Sequence, residues 1–317
     1  MDVGTYLQQH NLLAAVGAAA DFPQLYPVLL ARNASLRGFA EPDVFKRLSP
    51  QSLLPGACTM VMVAVPYKKQ MHCEPDAALR GIVSQSAVGE DYHRLLGAHL
   101  EALAGLWGLT EYKIFVDTGP LVERAVAQRL GLGVCGKNQS LITARGGMVF
   151  LGGLLTTAEV PPLETPAPPG GCGDCTACLR ACPTGALTGD GFVMERCVSY
   201  LTQKKGLLTR AEMAGMGRAL YGCDVCSLAC PHNQKEPGDP FFDREAAFPK
   251  LRELLELSEN EFRQRFGGTA AGWRGRRVLQ RNALIALFHQ GADIRPYLNH
   301  PAQLVRETAR RLREEEE

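Results

Sequence analysis

The alternation of apolar and polar positions changes texture three times along the chain. Up to about Val160, short apolar runs alternate with helical periodicity, the mark of a layered α/β region. Cys58–Val65 (CTMVMVAV) is an unbroken apolar run closed by Pro66 and predicts a buried strand. Asp91–Trp107 carries leucines at helical spacing and predicts an amphipathic helix. Tyr112–Val116 predicts a strand that passes through Asp117-Thr118-Gly119-Pro120 into a helix over Leu121–Leu130, with Pro120 suited to the first turn. Met148–Thr157 predicts a further strand, in which Gly152-Gly153 marks a bulge or a close backbone approach. Pro161, Pro162, Pro166, Pro168 and Pro169 then form a stiff, extended linker. Beyond Pro237, leucine-rich helical patterns cover Leu251–Phe266, Arg277–Gln290 and Pro301–Glu316, and the Glu314–Glu317 run is a solvated end.

Cysteines fill the stretch between linker and tail. Eight of the chain's 11 cysteines lie between Cys172 and Cys230. Cys172, Cys175, Cys178 and Cys182-Pro183 spell C-x2-C-x2-C-x3-C-P, the spacing that holds [4Fe–4S] clusters and lends its fourth thiolate to the neighbouring cluster. Cys197 and Cys223-x2-Cys226-x3-Cys230-Pro231 supply four more thiolates. Crossing the fourth ligands assigns Cys172, Cys175, Cys178 and Cys230 to one cluster and Cys182, Cys197, Cys223 and Cys226 to the other. Paired structural zincs are the alternative, but they leave the third cysteine and the closing Cys-Pro of each group unexplained. Cys58, Cys73 and Cys135 fall outside the groups and read as small buried hydrophobes.

Composition sets bounds without naming a chemistry. A chain of 317 residues, 46% hydrophobic with net charge +1, is globular and builds one large domain or two to three ordinary ones. No basic segment precedes an apolar core at the start, the apolar patch Leu12–Ala20 is too short to span a bilayer, and no later run reaches eighteen residues, so a cytoplasmic protein without a membrane anchor is expected. The blocks expected are 1–165, 166–238 and 239–317.

Three further features bear on function. Asp117 stands where a strand gives way to a helix, a place where ligands bind in open α/β sheets; from position alone, capping the helix is its favoured role. Gly131–Asn138 (GLGVCGKN) is a glycine-dense loop that admits a large ligand but matches no phosphate-binding fingerprint. Arg263, Arg265, Arg274, Arg276, Arg277 and Arg281 are interleaved with Trp273 in a stretch without acidic residues, which suits a phosphate backbone or a solvated helix face.

The segments VDTGPLVERAVAQRLGLGVCGKN, FLGGLL, CGDCTACLRACPTGAL, RCVSYLTQ and YGCDVCSLACPHN, in this order and spacing, resemble the epoxyqueuosine reductase family over most of the chain. RFGGTAAGWRGRRVLQRNALIAL resembles that family's C-terminal segment. The resemblance implies an α/β cobalamin-binding domain, a ferredoxin-like domain with two [4Fe–4S] clusters and a helical HEAT-like domain. It implies reduction of epoxyqueuosine to queuosine at the tRNA wobble position; an external electron donor and a monomer are expected. It implies that Asp117 is the proton donor. It places Arg47, Leu141, Gly152, Ser199 and the Tyr221-Gly222-Cys223-Asp224 turn against cobalamin, and Thr202, Gln203, Arg274, Arg276, Arg277 and Arg281 within reach of tRNA. The chain departs from the family pattern at Gln85–Glu90, at Val134-Cys135 and at His232. Two alternatives remain open: a related cobalamin and iron–sulfur reductase of a small molecule, similar to reductive dehalogenases, and a ferredoxin-type electron carrier. The second leaves the first 160 residues without a role.

Overall fold

The computed structural model describes residues 1–32, 39–68, 78–234 and 243–314. Cys73, the expected boundary at residue 238 and the last glutamates lie outside the described residues. The backbone divides into two compact units that share the chain discontinuously. One comprises Met1–Tyr67, His93–Cys175 and Pro231–Glu236; the other comprises Lys68–Tyr92, Thr176–Cys230 and Pro237–Glu317.

The first unit is built on a four-stranded sheet. Its strands are β1 (Leu13–Ala18), β2 (Thr59–Pro66), β3 (Tyr112–Phe115) and β6 (Val149–Thr156), in the order β1-β2-β6-β3, and every pairing is antiparallel. The crevice rule for parallel α/β sheets therefore does not apply to Asp117. Two short strands, β4 (Gly133–Cys135) and β5 (Leu141–Thr143), form a separate hairpin. The unbroken apolar run of β2 has its cause in position: Met60 to Ala64 have no exposed surface, because the strand is central and covered on both faces.

The unit also contains helices α1 (Val3–Gln9), α2 (Tyr26–Arg32), α3 (Tyr92–Leu106) and α4 (Glu123–Arg129), and α4 packs on β2 and β6. Leu96, Leu100, Leu103 and Ala104 form the buried stripe of α3. The Gly152-Gly153 pair is explained by packing on the two faces of β6. A Cβ on Gly152 would lie 3.0 Å from Val116 and 3.3 Å from Leu96 and Leu100, while one on Gly153 would lie 2.5 Å from the Phe115 ring and 2.6 Å from the Val61 carbonyl. The pair continues the ladder opposite Val63 and Met62 without a bulge. The proline segment carries no regular structure, and Thr165 donates its hydroxyl to the Ala14 carbonyl at 2.9 Å.

The second unit is mostly helical: α5 (Ala177–Ala181), α6 (Val198–Gln203), α7 (Arg210–Ala214), α8 (Val225–Leu228), α9 (Arg244–Ala247), α10 (Leu251–Glu256), α11 (Glu259–Phe266), α12 (Arg276–His289) and α13 (Gln303–Arg313). A short parallel pair, Ile82–Val83 with Ala219–Tyr221, joins its Lys68–Tyr92 and Thr176–Cys230 segments. The helix expected over Leu251–Phe266 is two helices. Ser258 accepts from the Glu261 amide and Glu261 accepts from the Ser258 amide, a capping box that starts α11 afresh. Helix α12 is the core element: Val278 to Leu287 are all buried, against α10, α13 and α6.

Candidate functional site

Asp117 follows β3 in the left-handed backbone region, at φ 52°, which a non-glycine residue adopts only at an energetic cost. It does not cap α4: the N-cap is Val122, with no side-chain cap. Instead, the Asp117 N–H donates to Oε1 of Glu123, and Oδ2 of Asp117 stands 3.9 Å from Nε2 of His93 on α3, with the aspartate side chain 61% exposed. Burial, and then the neighbouring Asp117 carboxylate, push the half-buried Glu123 carboxyl up to about 8. Next along α4, Arg124 donates through Nη1 to the Gln139 carbonyl. Asp117, Glu123, Arg124 and His93 are thus neighbours. The sequence patterns singled out only the aspartate; the available signal for Glu123 was an acidic residue at the first turn of a helix opening directly after a strand.

The glycine loop serves the protein's own packing. A Cβ on Gly133 would lie 2.7 Å from the Ile142 carbonyl across the β4–β5 hairpin. Lys137 binds the start of the cysteine-rich stretch: Nζ donates to the carbonyls of Gly173 (2.7 Å) and Cys175 (3.0 Å), and its amide donates to Sγ of Cys172 at 3.3 Å. Cys58 and Cys135 are exposed, correcting their expected burial.

In the second unit, the thiols of Cys182, Cys197, Cys223 and Cys226 perturb one another. Burial pushes Cys223 up to about 12 and Cys226 up to about 11; sulfurs of Cys226 and Cys197 add to the first shift, and those of Cys197, Cys178 and Cys182 to the second. Burial also raises Cys197, against the amides of Tyr200 and Ser199 that point at its sulfur. At Cys182 burial works the same way, but the amides of Leu187, Thr184 and Ala186 and the Thr184 hydroxyl outweigh it and hold the thiol below its ordinary range. Half-buried thiols ringed by amides suit iron–sulfur ligation, because iron supplies the positive charge that keeps sulfur ionised and the N–H groups stabilise it. Among the described residues, no three His, Cys, Asp or Glu side chains are grouped to hold a single metal ion.

Several residues expected at the cofactor or the tRNA also make contacts within the protein. Leu141 is buried in the apolar core of the first unit, and Gly152 lies under Leu96 and Leu100 of α3. Asp224 accepts from Ser84 Oγ (2.6 Å) and the Gln85 amide (2.8 Å), which ties down the start of the Gln85–Glu90 departure. Ser199 on α6 is half-buried and its carbonyl accepts from Thr202 and from Gln203. Thr202 is fully buried and its hydroxyl accepts from the Gly222 amide. Arg281 is fully buried as well. The helix that carries it is buried all round, so the guanidinium turns inward to the carbonyls of Lys204, Gly206 and Leu201. Arg276 pairs with Glu259 at 3.1 Å, and Arg265 faces Glu245 at 3.8 Å, so the patch is not free of acidic neighbours in space. Arg277 stays exposed, and Arg274 stacks 3.6 Å over the ring of Trp273, itself 56% exposed. Arg47 keeps a distinct position: it is buried, and its Nε and Nη1 have no hydrogen-bond partner among the described residues.

A paired set of cluster-type thiols in a chain that also presents a carboxyl at a strand end defines an iron–sulfur oxidoreductase. Residues 171–233 match the 4Fe-4S double cluster binding domain, and residues 47–118 match the family described as epoxyqueuosine reductase QueG, DUF1730. Epoxyqueuosine reductase of Bacillus subtilis (strain 168) is 38% identical over 299 residues, covering 86% of this chain and 75% of that protein. The structure of epoxyqueuosine reductase from Streptococcus thermophilus superposes with a TM-score of 0.87 at 34% identity, over 96% of this chain and 87% of that one. A crystal structure of epoxyqueuosine reductase with a tRNA-Tyr epoxyqueuosine-modified tRNA stem loop gives 0.87 at 35% identity, over 96% and 86%. The chain belongs to the epoxyqueuosine reductase family.

Proposed function

We propose that this protein reduces epoxyqueuosine to queuosine at the wobble position of tRNA in the cytoplasm, taking electrons from an external donor. The observation that carries this reading is similarity along nearly the whole chain to an enzyme whose structure includes an epoxyqueuosine-modified tRNA stem loop. Removing the epoxide oxygen as water takes two electrons and two protons, and no side chain is a strong enough reductant. Bound cobalamin supplies a low-valent cobalt centre as the two-electron reductant. Arg47 suits it, because its unpartnered buried donors call for a polar group from outside the described protein.

Two [4Fe–4S] clusters carry electrons singly, the first held by Cys172, Cys175, Cys178 and Cys230, the second by Cys182, Cys197, Cys223 and Cys226. Asp117 delivers a proton as the epoxide oxygen leaves, and His93, 3.9 Å from its carboxyl, is placed to return one. Arg274, Arg277 and Trp273 are the members of the basic stretch that remain suited to a phosphate backbone. The test is restoration of queuosine in tRNA of a strain lacking its own reductase, with epoxyqueuosine tRNA reduced by the anaerobic, cobalamin-loaded protein. Persistence of epoxyqueuosine in both assays refutes the reading.

A further inference from the structure

The left-handed backbone of Asp117 needs something to hold it, and Glu123 is what touches it. Glu123 opens α4 six residues later, and its Oε1 accepts the Asp117 N–H, closing a ring around Thr118-Gly119-Pro120-Leu121-Val122. The titratable and charged groups around this contact are Asp117 itself, Arg124 on α4, His93 facing Asp117 from α3, and Arg32 and Cys135 near Arg124. We propose that Glu123 is the positioning residue of the Asp117 loop: its carboxyl fixes the turn through the Asp117 amide and so aims the Asp117 carboxyl at the substrate. This rests on the assignment of Asp117 as proton donor.

A neutral carboxyl is the right latch for this task. It accepts the N–H through its carbonyl oxygen without setting a second negative charge against Asp117, and burial keeps Glu123 in that state at neutral pH. One solved relative, from Bacillus subtilis, has its catalytic aspartate loop swung out of the active site, so in that protein the loop has a second position.

The test uses Glu123→Ala and Glu123→Gln in the cluster- and cobalamin-loaded enzyme. Glutamine keeps an accepting oxygen and cannot ionise; alanine removes the latch. Amide exchange over the peptide containing Asp117 is expected to speed up by about tenfold or more in Glu123→Ala and to return to near the wild-type rate in Glu123→Gln. Single-turnover reduction of epoxyqueuosine tRNA falls roughly 10- to 100-fold in Glu123→Ala with tRNA affinity unchanged, while Glu123→Gln recovers most of the rate. In an Asp117→Asn background, Glu123→Ala costs nothing further, since the two act through one group. Wild-type exchange or turnover in Glu123→Ala overturns the proposal, as does an undiminished loss in the Asp117→Asn background. If the wild-type enzyme itself leaves epoxyqueuosine tRNA unreduced, the functional reading fails, and the exchange rates alone decide whether Glu123 holds the loop.

Discussion

Replacing Arg281 by methionine tests whether a residue that reads as a nucleic-acid contact is a structural tie. The guanidinium has no exposed surface. Nη1 donates to the carbonyls of Lys204 and Gly206, each at 2.6 Å, Nη2 to Leu201 at 3.1 Å, and Nε and Nη2 to Oδ1 of Asn282 at 3.0 and 2.8 Å. Burial lowers the Arg281 pKa to about 10, which still leaves it charged at neutral pH. A hydrogen bond with a charged partner contributes roughly 1.5–3 kcal/mol, but the cost of burying the charge cancels much of that sum. Methionine fills similar volume and strands the carbonyls that end α6, so the expected loss is about 3–5 kcal/mol. Lysine retains the charge but lacks the planar fork, and recovers less than half. Urea unfolding followed by far-ultraviolet circular dichroism measures both variants. A loss below about 1 kcal/mol refutes the structural role; normal stability with a shallower salt dependence of tRNA binding would instead return Arg281 to the phosphate contacts.

Asp117→Asn is expected to assemble its clusters and bind tRNA normally while single-turnover reduction falls by about 10²–10⁴-fold; a wild-type rate removes Asp117 from the chemistry. Cys226→Ser should lower iron and acid-labile sulfide from about eight to about four of each per chain, and zinc at full occupancy in either protein would sink the cluster assignment. Glu123 links stability to pH. Its carboxyl goes from an ordinary 4.5 to about 8 on folding, so between those values the folded state holds a proton that the unfolded chain has released, and stability declines as pH rises through that window. Melting temperatures of wild type and Glu123→Gln at pH 5 and pH 8 should show the steeper decline in wild type, and parallel behaviour contradicts the shift.

Features set by local spacing were legible in the sequence: Tyr112–Phe115 and Val149–Thr156 fall inside the expected strands, and α3 and α12 lie within a residue or two of their expected bounds. Features set by three-dimensional neighbours were not. Arg281 belongs to a helix whose every face is covered, and a buried arginine looks the same in sequence as an exposed one until the carbonyls of Leu201, Lys204 and Gly206 arrive from some 75 to 80 residues away. Arg276 and Glu259 are 17 residues apart and meet only because α11 and α12 do. The Glu123 contact to Asp117 is closer in sequence, yet it depends on a left-handed turn that no residue type announces. Ser258 and Glu261 are the opposite case, a capping box open to inspection inside what looked like one long helix.

The interleaving of the two units constrains how the protein can be made and inherited. Strand β2 is central, yet its neighbour β6 is translated more than eighty residues later, and the first unit ends only with Pro231–Glu236. A nascent chain emerging from the ribosome therefore exposes the apolar run Met60–Ala64 until that later strand is available, which favours slow, late closure. The two units cannot be separated by a single cut, because every cut between residues 68 and 236 leaves both incomplete. Shuffling of this enzyme by recombination should succeed only when parent and partner sequences already share the whole framework.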